Sequence, residues 1–156
     1  MTALRLRPAT RDDARQLWLW CNDGEVRTQA FTARPISWDE HVDWLTRTLS
    51  APLSRLWIAE ENGTAVGQFR VDGKGDRAHI DYSIDRGHRG RGLAASLLRQ
   101  GAQVTCGELA VRVVDALVKE SNPASCRAFE KAGYALVART EYAGHACRQY
   151  EWQCGK

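Results

Sequence analysis

The chain is poor in long apolar runs. No stretch of its 156 residues approaches the roughly 20 consecutive apolar residues that a membrane-spanning helix requires. The start, Met1 to Arg15, has no apolar core of a secretion signal. Charge of one sign is also missing: 22 basic residues against 19 acidic ones leave +3, too balanced for a nucleic-acid binder. Lysine is scarce, with 18 of the basic residues Arg and 4 Lys, so what matters is where the arginines cluster. No internal repeat and no low-complexity segment is present. The five cysteines (Cys21, Cys106, Cys126, Cys147, Cys154) have no paired short spacing and are expected as reduced thiols. These absences predict a cytoplasmic single domain over residues 1–156, with no membrane and no nucleic-acid partner.

What is present is ordinary globular material, 44% hydrophobic and 26% charged, long enough to bury a core without a metal or disulfide staple. Leu4, Leu6 and Pro8 alternate with arginines, which predicts a short strand. Thr10 with Asp12 and Asp13 opens a helix over Ala14–Cys21, which Asn22-Asp23-Gly24 ends. Ser37 and Glu40 form a capping box for a second helix, with Val42, Leu45 and Leu49 on its apolar stripe. Strands are predicted at 55–60, 64–72 and 77–85, the first two joined by an Asn62-Gly63 hairpin turn. A helix follows at 93–109, a buried strand at 111–118, a helix from Asn122-Pro123 to Gly133, and a closing hairpin around Ala143-Gly144. The order β-α-α-β-β-β-α-β-α-β-β is mixed α/β with a meander inside it.

The sharpest local feature is Arg86-Gly-His-Arg89-Gly90-Arg91-Gly92-Leu93-Ala94, placed between an alternating strand and a helix. Glycines allow a tight turn with backbone N–H groups converging, and a helix N-terminus adds partial positive charge. Such a loop suits an anion with several oxygens, such as a pyrophosphate. No Gly-Lys-Ser/Thr follows, so it is not a Walker loop, and the Gly-x-Gly-x-x-Gly of a dinucleotide fold is missing.

Arg89-x-x-Gly92-x-Ala94 resembles the signature of the GCN5-related N-acetyltransferase (GNAT) family. Asn122-Pro-Ala-Ser125, with Phe129-Glu-Lys131-Ala-Gly133-Tyr134, is similar to that family's second conserved helix. The resemblance implies a fold of about seven strands with four helices, and a bulge and splay in the strand before the loop. It implies an acetyl-CoA-dependent N-acetyltransferase in which an amine attacks the thioester directly. Arg89, Gly90, Arg91, Gly92, Leu93 and Ala94 would hold the CoA pyrophosphate, the backbone near Ile84 the pantetheine, and Asn122 and Ser125 the rest of the CoA arm. Asn122 and Ser121 are equally expected as helix caps.

The family's usual tyrosine acid falls on Phe129, which has no proton to give. Either Tyr134, Cys126, Ser83 or water protonates the leaving thiolate, or the thiolate leaves unassisted. The base is expected on the strand before the loop, where His79, Asp81, Ser83 and Asp85 share one face. Trp20-Cys-Asn22-Asp23-Gly-Glu-Val26-Arg27, Ile36-Ser37 with Glu40-His41 and Trp44-Leu45, and Gly67-Gln68 with Arg70-Val-Asp72 together resemble a subfamily that acetylates a nucleotide-linked amino sugar in pseudaminic acid biosynthesis. That resemblance makes Asn22, Arg27, His41 and Gln68 the expected acceptor contacts, while Trp18 and Trp57 are expected in the core. A protein N-terminus or another small amine is the alternative acceptor, and a non-catalytic acyl-CoA-binding module the alternative class. His145, Cys147 and Cys154 lack zinc spacing, so no metal is expected. A monomer or homodimer is expected.

Overall fold

The computed structural model describes residues 3–155. Seven strands form one mixed sheet in the order β1-β2-β3-β4-β5-β7-β6. They are β1 (Arg5–Pro8), β2 (Ser54–Glu61), β3 (Thr64–Lys74), β4 (Arg77–Ile84), β5 (Val113–Lys119), β6 (Ala135–Tyr142) and β7 (His145–Gln153). The helices are α1 (Ala14–Cys21), α2 (Gly24–Gln29), α3 (Trp38–Ser50), α4 (Leu93–Glu108) and α5 (Pro123–Ala132).

Strands β1 to β4 are an antiparallel meander, and α4 carries the chain over to β5, which pairs parallel to β4. One face of the sheet packs on α4 and α5 through Phe69, Val71, Leu97, Leu98, Ala102 and Phe129. The other face is covered over β2 by α1 and α3, where Leu17, Trp20 and Leu45 meet Leu56 and Ile58.

The alternation in β4 sends Ala78, Ile80, Tyr82 and Ile84 into the α4 side of the core. It leaves His79, Asp81 and Ser83 on the opposite face. Pairing between β4 and β5 is confined to Arg77–Val113, Ala78–Val114 and His79–Asp115. Beyond His79 the two strands part, and this is the expected splay.

Several sequence expectations need correction. Five α-helices form rather than four, because Asp23 starts a helix where Asn22-Asp23-Gly24 suggested only an ending. Its carboxylate accepts from the N–H groups of Glu25 and Val26 and caps α2. The expected bulge in β4 is not there: its register with β3 runs unbroken from Arg77 to Ile84. A register shift falls instead at Val66 of β3, against Ala59 and Glu60 of β2. The splay needs no inserted residue, since β4 simply leaves β5. On α3 the buried stripe is His41, Leu45 and Thr48, one step round from the expected one, and Leu49 is exposed. Cys106 and Cys154 are not reduced thiols but a disulfide that ties the end of α4 to the chain just after β7. Cys21, Cys126 and Cys147 are free.

Candidate active site

The loop after β4 is fixed by its own chemistry. Asp85 caps the short 3-10 turn Arg86–His88, accepting from the Gly87 N–H at 3.0 Å and pairing with His88 Nδ1 at 2.9 Å. Gly90 and Gly92 take φ of +79° and +78°, a left-handed conformation that side chains disfavour. A Cβ at either would meet nothing within 4 Å, so the space in front of the loop is open. Gly92 is the N-cap of α4 and provides no side-chain cap, which leaves the N–H groups of the first turn, from Leu93 and Ala94 onward, for an outside acceptor.

The loop arginines are not held out toward that space. Arg89 donates through Nε to the Ile84 carbonyl at 3.0 Å, and pairs with Glu25 at 2.9 Å and Asp23 at 3.1 Å. Arg86 also pairs with Asp23, and Arg91 with Glu61. Arg89 therefore moors the loop to the start of α2. What the loop leaves free to face that space is its backbone N–H groups and the helix terminus.

The splay lies directly before this loop. The Asp85 N–H donates to the Val66 carbonyl on β3. By the alternation of an antiparallel pair, Ile80 and Tyr82 turn their N–H and C=O groups the other way, toward the opening, as Ile84 does its N–H, while the Ile84 carbonyl is taken by Arg89. Across it stands α5, whose N-cap Asn122 accepts from the Ser125 N–H at 3.3 Å. Asn122 thus fills its capping role. Ser125, 8% exposed, turns its Oγ to the Tyr82 hydroxyl at 2.7 Å.

On the polar face, Gln68 of β3 sits opposite Ser83 and donates Nε2 to Asp81 at 3.3 Å and to Ser83 at 3.4 Å. Asp81 is exposed and lies in the splayed stretch. His79 stands at the closed end, its Nδ1 on the carboxylate of buried Asp115, which also binds Arg77.

Lys119 at the end of β5 is buried. It donates to the Thr28 and Ala30 carbonyls at 3.2 and 2.9 Å, drawing the α2–α3 connection over this face.

Three of the four expected acceptor contacts are committed to the frame. Asn22 donates to the Ile36 carbonyl at 2.9 Å and accepts from the Ile36 N–H at 2.7 Å. Arg27 donates to the Thr32 carbonyl at 3.0 Å. His41, 2% exposed, donates Nε2 to the Ala14 carbonyl at 3.0 Å, and burial pushes its pKa down. Gln68 alone reaches the polar cluster.

Tyr134 is likewise out of place for an acid at the opening. Its hydroxyl donates to the Leu98 carbonyl at 2.8 Å, and burial drives its pKa far up. The spacing of residues could not reveal these commitments. Tyr82 was hidden on the apolar face of its strand, and the one available signal was that a buried tyrosine hydroxyl needs a partner.

The family model for the acetyltransferase (GNAT) domain matches residues 3–135. The chain belongs to the GNAT acetyltransferase family, and it is an acetyltransferase.

Solved structures agree on the fold. The spermidine N-acetyltransferase from Vibrio cholerae, in complex with CoA and spermine, aligns at TM-score 0.87 and 18% identity, over 98% of this chain and 96% of that one. The aminoglycoside acetyltransferase AAC(6')-Ib with ribostamycin and coenzyme A gives TM-score 0.84 at 20% identity, over 97% and 93%. A GNAT-family acetyltransferase from Streptococcus pneumoniae gives 0.77 at 17%, over 97% and 99%. No curated protein matches the chain at a significant level.

Among the described residues no helix is long and apolar enough to cross a membrane, and no group of three or more His, Cys, Asp or Glu is placed to hold a metal ion.

Proposed function

We propose that this chain, as one domain, transfers the acetyl group of acetyl-CoA to the primary amine of a small cationic molecule. The observation that carries the reading is the placement of an uncapped helix N-terminus, at Gly92, beside the splay of β4 from β5. The first offers N–H groups to a pyrophosphate, and the second offers an unpaired strand edge to an extended amide-bearing arm. Acetyl-CoA supplies the activated acetyl group. The chain's own residues do the rest: Ile80, Tyr82 and Ile84 present backbone groups along the opening, and Asp81 meets the acceptor from the polar face. Its carboxylate draws in the cationic acceptor, whose reacting ammonium first gives a proton to water, and it takes the second proton as the neutral amine attacks.

Asp81 is preferred to His79 as base because it lies beyond the last β4–β5 pair, whereas His79 is held at the closed end by Asp115. Gln68 orients Asp81 and is itself bonded to Ser83.

The acceptor reading also moves from the sequence expectation. A nucleotide-linked amino sugar needs cationic groups for its phosphates, but Arg27 is spent on backbone carbonyls, and Arg70 lies over Trp44 and pairs with Asp72. An exposed carboxylate at the opening favours polyamine or aminoglycoside chemistry, the kinds of amine bound in the spermidine and aminoglycoside enzymes. Thiol release from acetyl-CoA against spermine, kanamycin, nucleotide-linked amino sugars and N-terminal peptides tests this. Release with the cationic amines is expected. Release confined to amino sugars or peptides would overturn the acceptor assignment, and tight CoA binding without turnover on any amine would favour a binding module.

A further inference from the structure

We propose that the Tyr82 hydroxyl, bonded to Ser125 across the mouth of the β4–β5 splay, is the acid that protonates the departing sulfur of CoA. The inference rests on the acetyl-CoA reading above. Its starting point is Phe129, which leaves α5 without a proton donor where the family resemblance calls for one. Tyr82 stands beside it on the opposite wall: its ring meets Phe129 edge to face, 5.7 Å between centroids and 80° between planes. The hydroxyl then extends to Ser125 Oγ at 2.7 Å, on the first turn of α5. The chain thus replaces a tyrosine on the helix by one on the strand, with its oxygen delivered to the same helix.

The other tyrosines are committed elsewhere. Tyr134 donates to the Leu98 carbonyl, Tyr150 to Glu130, and Tyr142 meets Phe31 edge to face at the exposed hairpin. Tyr82 also lies on the residue whose backbone faces the opening. Burial raises its pKa, so the hydroxyl keeps its proton at neutral pH.

The step balances. The amine nitrogen bonds to the acetyl carbon, and the C–S bond breaks with its electron pair remaining on sulfur. Sulfur takes the Tyr82 proton, and the surplus proton of the new amide nitrogen passes to Asp81. Water restores the Tyr82 proton through Ser125.

The test reads the thiol of bound CoA and needs no acceptor. The ultraviolet absorbance of the thiolate is titrated against pH with CoA bound to the wild-type protein and to Tyr82→Phe, subtracting protein alone. Calorimetry gives the affinity in each case. A hydroxyl aimed at sulfur stabilises the thiolate. In the wild-type complex the thiol should ionise with a constant about tenfold larger than in Tyr82→Phe, at CoA affinity within about threefold. Equal ionisation in the two complexes overturns the proposal and leaves the acetyl-CoA reading standing. Failure of CoA to bind the wild-type protein overturns both.

If Tyr82→Phe loses CoA through misfolding, Ser125→Ala gives the same readout. A shift of at least about threefold in the same direction supports the proposal, and none overturns it. In the Tyr82→Phe background, Phe129→Tyr should restore the wild-type ionisation.

Discussion

Trp20 donates its indole N–H to the Asp85 carboxylate at 2.9 Å, joining α1 to the residue that launches the glycine-rich loop. Burial pulls the Asp85 carboxyl up, but the bonds from Trp20, His88 and the Gly87 N–H outweigh it and the net direction is down. A carboxyl held low in the fold stabilises it above the ordinary Asp value of about 3.9, and that contribution drains away as pH falls through the lowered value. CoA affinity should therefore stay level from neutrality to about pH 5 on this account and fall in stronger acid. Asp85→Ala should show the acid-form affinity at pH 7, by calorimetry.

Gly92→Val separates strain from clash. The site has open space but a φ of +78°, so the cost is conformational, roughly 1–2 kcal/mol. Thermal unfolding should show a modest loss with the sheet intact, while CoA affinity falls at least about tenfold as the α4 N-terminus shifts. Unchanged affinity would sink the loop assignment.

Gly101 on α4 tests the core beneath the loop. A Cβ there would stand 2.5–2.6 Å from three carbons of the Phe69 ring, and that ring is fully buried. Gly101→Ala should destabilise by about 1–3 kcal/mol in denaturant melts, against the helix-propensity gain expected from alanine.

Asp81→Asn should lower kcat by about a hundredfold or more and leave CoA affinity unchanged. His79→Gln should have a smaller effect on kcat. The opposite order, read from pH–rate profiles of the two variants, would move the base to His79.

The Cys106–Cys154 bridge closes a sequence separation of 48. Reduction, or Cys154→Ser, should cost roughly 2–4 kcal/mol in unfolding free energy. Equal stability in oxidised and reduced protein would show that the bridge does not constrain the chain.

How much could be read in advance follows the range of the interactions. The Ser37 cap on the Glu40 N–H, the Asn62-Gly63 turn, and the Asn122 start and Gly133 stop of α5 are contacts within a few residues and form where the spacing predicts, although the Glu40 carboxylate pairs with Arg34 instead of closing the box. The roles of polar side chains were not legible, because their partners come from distant segments. Arg89 carries a phosphate-binding signature in sequence, yet its guanidinium is spent on Asp23 and Glu25, more than 60 residues away. Asn22, Arg27 and His41 suit a sugar by residue type, but the α2–α3 connection claims the first two and the start of α1 claims His41. The disulfide depended on α4 returning beneath the end of β7, which no cysteine spacing encodes. Tyr82 and Ser125, 43 residues apart, meet because α5 packs on the face of the sheet that Tyr82 points to.

The parting of β4 from β5 also has a kinetic consequence. The uncapped end of α4 lies to one side of that opening and the Gln68–Asp81–Ser83 cluster to the other, so neither reactant needs to leave before the second arrives. Initial-rate plots against both should intersect rather than run parallel, as a ternary complex requires and a shuttle through an acylated side chain does not.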